Sequence, residues 1–192
     1  MPERSMNGVY PILSAPINEK GQLVIDDLEN QVEWMIEKGV HGLGIAVATE
    51  IYKFNEEERD LILKTVVGVN NGRVKVVMNT GGEGTDHAIA LSKRAEELGA
   101  DALMIRPTSF IPMPASENIE YFGRIAESVS IPIFLQDQGT AQVPPAMAVA
   151  CANRHENLCY IKVETPPTVP RMGETQKLSE GTGLVLFGGA GG

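Results

Sequence analysis

The sequence predicts an α/β fold built around a parallel sheet that is buried on both faces. Short apolar runs rich in Val, Ile and Leu recur along the chain, and most are continuous rather than alternating. Stretches with helical spacing of apolar residues separate them, and glycines such as Gly39 and Gly99 close those stretches. Unbroken apolar strands joined by helices are the pattern of a parallel sheet covered by helices.

The elements follow in order. Residues 9–14 read as a strand. Residues 26–38 read as a helix with Leu28, Val32, Met35 and Ile36 on one face and Gly39 just past its end. Residues 42–48 form an apolar strand. Asn55 can cap the next helix, and Glu58 three residues on completes a capping box. Residues 74–79 read as a strand, 85–98 as a helix, 102–106 as a strand and 116–128 as a helix. Residues 131–136 read as a strand, 144–155 as a helix and 158–164 as a strand. A weakly helical, proline-punctuated stretch then leads to a last strand over 183–187 and a glycine-rich end. The expected total is seven strands with six helical connections, in one domain without internal repeat or linker.

Bulk properties narrow the function. The chain has 192 residues and a net charge of -9, which argues against nucleic acid as a partner because phosphate backbones require basic patches. Met1-Pro2-Glu3-Arg4-Ser5 lacks the apolar core of a signal peptide, and no run approaches membrane-spanning length. The two cysteines, Cys151 and Cys159, suggest neither a disulfide framework nor a zinc site, and His41, His87 and His155 lack metal-ligand spacing. A cytoplasmic location without membrane contact, and a site without metal or cofactor, are the expectations.

Two parallel architectures fit, a doubly wound open sheet and a (β/α) barrel. No glycine-rich phosphate fingerprint follows the first strand, which weakens the open nucleotide-binding form. Gly81-Gly82-Glu83-Gly84 reads as a flexible turn rather than a phosphate cradle. In both architectures the site lies at the carboxyl ends of the strands. Thr49, Glu50, Asn79, Thr80, Arg106, Thr108, Ser109, Gln136, Asp137, Gln138, Lys162 and Glu164 gather there. Along residues 158–164, Tyr160, Lys162 and Glu164 share one face and Cys159, Ile161 and Val163 the other. A lysine turned into the sheet interior is desolvated and becomes a nucleophile for carbonyl carbons. The alternative is a lysine guarding a sheet edge against aggregation.

Further pieces of sequence point to a family. They are Gly8-Val9-Tyr10-Pro11-Ile12-Leu13, the run from Glu33 through Gly39 to Leu43, and Glu50 with Asn55-Glu56-Glu57-Glu58-Arg59. Ala95-Glu96-Glu97-Leu98-Gly99-Ala100-Asp101-Ala102, Tyr121-Phe122, Ile131-Pro132-Ile133 and Tyr160-Ile161-Lys162 complete them. In order and spacing the chain resembles the dihydrodipicolinate synthase / N-acetylneuraminate lyase family of class I aldolase-type (β/α)8 TIM barrels. The resemblance implies a Schiff-base lyase of aldolase or dehydratase type, acting on a small 2-oxo acid without a cofactor, in a homo-oligomer. It assigns the imine to Lys162 and the assisting position to Gln136; strand alternation adds Glu164, two residues past Lys162 and facing the same way. Val47, Ala48, Thr49, Glu50, Ser109 and Gly188 take the substrate-binding positions.

The departures from that pattern matter. Ala46-Val47-Ala48-Thr49-Glu50 stands where the family has Gly-Thr-Thr-Gly-Glu, so the hydroxyl of a proton relay is lost at Val47 and Ala48. Gln136 replaces the assisting tyrosine and cannot act as general acid or base. Ser109 and Phe110 replace paired tyrosines, and Ala141 an arginine. These changes argue against dihydrodipicolinate synthase activity itself. Glu164 is either the acid/base partner of Lys162 or an ion-pair partner that keeps it inert. Asp137, facing outward, contributes only if its strand ends there. A non-catalytic relative binding a small ligand or partner subunit is the alternative, and an inactive fragment a third reading. A full barrel has roughly 250 residues, so residues 1–192 are expected to form an incomplete, truncated barrel with its eighth strand missing.

Overall fold

The computed structural model describes residues 6–111 and 113–189. The reading of residues 1–5 as no signal peptide, and of the glycine-rich end over 190–192, falls outside the described residues. The chain divides into two units, one made of Met6–Asn79 with Arg94–Ala102 and the other of Thr80–Lys93 with Leu103–Gly192.

The first unit contains helix α1 (Ile25–Glu37), strand β1 (Gly42–Ile45), two short 3-10 turns (Val47–Thr49 and Ile51–Lys53), helix α2 (Glu56–Asn70) and strand β2 (Lys75–Asn79). Strands β1 and β2 pair in parallel, with Gly42 opposite Lys75 and Ile45 opposite Met78. Helix α1 buries Leu28 and Val32, as its spacing predicts, and packs against α2. The capping box forms: Asn55 accepts from the Glu58 backbone N–H at 2.9 Å, and Glu58 accepts from that of Asn55 at 3.0 Å.

Residues 9–14 differ from the expected strand. Only Ile12 bridges to Gly44, with the Leu13 N–H donating to Gly44 O and the Gly44 N–H to Pro11 O. Pro11 has no N–H to give a ladder. The segment lies so close to β1 that a Cβ at Gly42 would stand 2.0 Å from the Tyr10 ring.

The second unit carries β3 (Ala102–Ile105) from Leu103 on, α4 (Ala115–Ala126), β4 (Ile133–Asp137), α5 (Pro145–Arg154), β5 (Tyr160–Val163), α6 (Thr168–Leu178) and β6 (Val185–Gly188). Helix α3 (Thr85–Glu97) begins in it and ends in the first unit. Strands β3 to β6 pair in sequence and in parallel. The described residues thus hold six strands, each followed or preceded by a helix, and α6 fills the proline-punctuated stretch. Among them no helix is long and apolar enough to cross a membrane. Neither Cys151 nor Cys159 forms a disulfide and both are buried; burial pushes the Cys151 thiol up to about 12.

Asp137 ends β4 and is fully buried on the face opposite Gln136. Its carboxylate accepts from the Val143 N–H at 2.8 Å, the Thr165 hydroxyl at 2.8 Å, and Arg171 Nε and Nη2 at 2.7 and 2.9 Å. One carboxylate therefore joins the β4–α5 loop, the end of β5 and helix α6. Removing one partner of a buried pair strands the other charge and costs about 3–5 kcal/mol. Arg171→Met is expected to lower the unfolding free energy by about that amount in urea titrations; a loss under about 1 kcal/mol contradicts this role.

Tyr121 of α4 donates its hydroxyl to Gly82 O at 3.0 Å and accepts from the Gly82 N–H at 3.2 Å. Burial pushes its phenol up from 10 to about 12. The folded protein therefore keeps this proton between pH 10 and 12, where the unfolded chain releases it. Stability present below pH 10 is lost across that window, by about 2–3 kcal/mol. Tyr121→Phe is expected to flatten the alkaline fall in stability relative to wild type, measured by urea titration at pH 9, 10 and 11.

Candidate active site

The site starts from strand register. Gln136 on β4 lies opposite Lys162 on β5, which lies opposite Phe187 on β6. Alternation puts Phe134 and Tyr160, one pair earlier, on the same face. Their rings stack at 4.5 Å, and Phe187 meets them edge-on at 5.2 and 6.1 Å. Lys162 thus rises from an aromatic layer at the carboxyl end of its strand, with its side chain only 14% exposed.

Its Nζ lies 2.9 Å from Glu164 Oε1. Glu164 is just past β5, where its backbone N–H donates to Asp137 O at 2.9 Å. Its second oxygen, Oε2, accepts from Gln136 Nε2 at 2.9 Å. The three residues read from the sequence as catalytic are therefore brought together: an ammonium and a carboxylate in contact, with an amide holding the carboxylate. Glu164 is positioned both to receive the lysine's proton and to pair with it. Gly188 ends β6. Gly189, which the sequence reading did not single out, allows the arrangement, because a Cβ there would stand 2.1 Å from Glu164 Cγ. The doublet Gly188-Gly189 directly after a strand was its only signal.

Ser109 lies after β3 in a second cluster. Its backbone N–H and that of Phe110 donate to Glu83 Oε2 at 3.0 and 3.1 Å, while Arg106 contacts both the Ser109 hydroxyl and Glu83. Burial pushes the Glu83 carboxyl up, but these backbone N–H groups and the Arg106 charge outweigh it and hold it below its ordinary value. The Gly81–Gly84 turn is thus pinned by Tyr121 and Glu83 rather than free.

Val47, Ala48, Thr49 and Glu50 belong to the other unit. Val47 is half-buried and Ala48 exposed. The Thr49 hydroxyl donates to Leu13 O at 2.6 Å and accepts from the Ala46 N–H at 3.0 Å. Glu50 has φ 60°, a left-handed backbone uncommon outside glycine, and pairs with Lys53 at 2.8 Å. Among the described residues no cluster of three or more His, Cys, Asp or Glu side chains is placed to hold a metal.

Parallel strands alternating with helices, with Lys162 at the carboxyl end of one of them, are the architecture of an incomplete (β/α) barrel. The model of the dihydrodipicolinate synthetase family matches residues 5–190, and the chain belongs to that family. It is 30% identical to the L-2-keto-3-deoxyarabonate dehydratase of Azospirillum brasilense over 178 residues, 89% of this chain and 57% of the relative. It is 34% identical to the 4-hydroxy-tetrahydrodipicolinate synthase of Methanocaldococcus jannaschii over 165 residues, 83% of this chain and 56% of the relative. The solved pyruvate complex of the chloride-inhibited dihydrodipicolinate synthase of Acinetobacter baumannii has the same fold. The TM-score is 0.90 at 26% identity, covering 95% of this chain and 63% of that one. The chain thus spans little more than half the length of the curated relatives it matches.

The close approach at Gly189 gives a geometric test. Gly189→Ala forces the Glu164 side chain out of contact with Lys162 and Gln136 and is expected to cost about 1–3 kcal/mol by overpacking. In a Glu164→Ala background, where the obstructing carbons are gone, the same change is expected to cost almost nothing. Additive losses in the double-mutant cycle would contradict the geometry.

Proposed function

We propose that this protein is a Schiff-base lyase, of dehydratase or aldolase type, acting on a small 2-oxo acid. The observation that carries the reading is the contact of Lys162 with Glu164, itself held by Gln136. Glu164 takes the ammonium proton, and the freed amine attacks the carbonyl carbon of the substrate. A C–N bond forms, the carbonyl oxygen leaves as water, and the resulting iminium withdraws electrons from the neighbouring carbon. Loss of a proton or cleavage of a C–C bond there follows, with Glu164 as the group that exchanges the proton.

Gln136 orients the carboxylate and exchanges no proton itself. A tyrosine in its place would serve the synthase chemistry that the family pattern expects, so its absence supports a reaction other than dihydrodipicolinate synthesis. The dehydratase among the relatives and the pyruvate bound in the Acinetobacter structure support the same substrate class. Assembly with further copies of the chain belongs to this reading, supported by Phe110 and Ile111, 85% and 69% exposed.

Borohydride reduction with pyruvate, followed by peptide mass spectrometry, is expected to label Lys162. Lys162→Ala abolishes the adduct, and Glu164→Gln slows its formation by about 10²-fold or more. An unlabelled Lys162 in folded protein, with pyruvate and with longer 2-oxo acids, removes this reading. It leaves the ion pair as the feature of a non-catalytic, ligand-binding relative.

A further inference from the structure

A cavity of about 120 Å³ lies in the second unit, between the segment after β3 and the loop after β4. Thr108, Met113 and Asn118 wall one side and Thr140, Ala141 and Gln142 the other. Two of the residues that line it, Thr108 and Asn118, carry buried polar atoms, Oγ1 and Oδ1, without a hydrogen-bond partner among the described residues. The two residues are 8% and 7% exposed. Folded proteins leave few buried polar atoms unpaired, so two on residues lining one small cavity point to a place where something else supplies the partners.

The chemistry of the missing partner follows from the atoms. An amide oxygen only accepts, so it calls for a donor; a threonine hydroxyl gives or takes. Asn118 Nδ2 donates to Met113 O at 3.3 Å, which fixes which end of the amide is left over. No charged side chain lines the cavity among the described residues. A carboxylate would meet an acceptor and no cation, and an ammonium would lose its hydration without a counter-charge. A hydroxyl suits both atoms. A water occupies roughly 30 Å³ in the liquid, so the space admits a group of several heavy atoms.

We propose that this cavity is a subsite for the uncharged, hydroxylated end of a small ligand. Two sources share that chemistry: the hydroxylated tail of the 2-oxo acid engaged by Lys162, or a separate small polyol. The first rests on the imine reading above; the subsite itself stands on Thr108 and Asn118.

The probe is erythritol, an uncharged four-carbon polyol, titrated by ligand-observed NMR against the wild-type chain, Thr108→Val and Asn118→Leu. Saturable binding to wild type is expected, weakened roughly tenfold in each variant. The Thr108→Val protein should melt at the same temperature as wild type or higher, because an unpaired buried hydroxyl has been removed. A threonine that merely supports the fold would show the opposite, lower stability with unchanged binding. No saturable binding to folded wild type, or equal binding by the variants, overturns the proposal.

The source is read by repeating the titration after borohydride reduction. Loss of erythritol binding in the adduct with a hydroxylated 2-oxo acid, but not with pyruvate, assigns the subsite to the substrate tail. Binding that survives both adducts assigns it to a separate polyol. If Lys162 forms no adduct, the imine reading fails, and the titration with the two variants still decides the subsite.

Discussion

The burial of the Asp137 carboxylate fixes the geometry around Lys162. A charge removed from water is tolerated only when donors surround it, and those donors come from three places in the chain: the loop carrying Val143, Thr165 beyond β5, and Arg171 of α6. They anchor the carboxyl ends of β4 and β5 against the helix layer. Strand alternation then leaves Gln136 no choice but the opposite face, level with Lys162. A slip of one residue would exchange the faces, burying an amide under α6 and turning the aspartate toward the lysine. The network that looks purely structural sets which polar groups meet in the site.

On that face one carboxylate has two tasks. The Phe134, Tyr160 and Phe187 rings remove water from one side of Lys162, and Glu164 compensates by pairing with the ammonium. In the proposed reaction the same oxygen takes the proton that the attacking amine must lose. Gln136 holds the other oxygen, which fixes the orientation of the carboxylate. Gly189 supplies the room, since the backbone after β6 passes where any side chain would strike Glu164.

Much of this was legible because it depends on short-range periodicity. The pairing of Lys162 with Glu164 follows from a two-residue strand period, and the Asn55–Glu58 box from a three-residue spacing at a helix start. What was hidden depends on distance along the chain. Arg171 lies 34 residues from Asp137 in a proline-punctuated stretch with weak helical character, and nothing local announces the pair. Residues 9–14 have the composition of a strand, but Pro11 withholds a ladder donor, so only the Ile12 bridge forms. The glycine-rich turn at residues 81–84 looks flexible in sequence, yet Tyr121 reaches Gly82 and the Ser109 and Phe110 N–H groups hold Glu83, contacts that no periodicity encodes.

Ala141 shows how a loss of charge redistributes recognition. The family pattern expects an arginine there, and a guanidinium would supply a fixed cation with several donors. Alanine leaves that side of the cavity short and neutral, buried to 4% exposure, facing a space whose remaining polar atoms come from uncharged side chains. A ligand group that needs a cation gains nothing from such a wall, whereas a hydroxyl gains a donor and an acceptor without losing hydration of a charge. Under the proposed function, the charged pair Lys162–Glu164 serves the step in which bonds are made and broken. With no charged side chain in its wall, the proposed subsite can discriminate only by shape and hydrogen bonding. Sites that hydrogen-bond a substrate hydroxyl reject analogues lacking it far more strongly than apolar pockets reject a missing methylene. In the proposed subsite, Ala141 therefore places selectivity in the presence of a hydroxyl rather than in the sign of a charge.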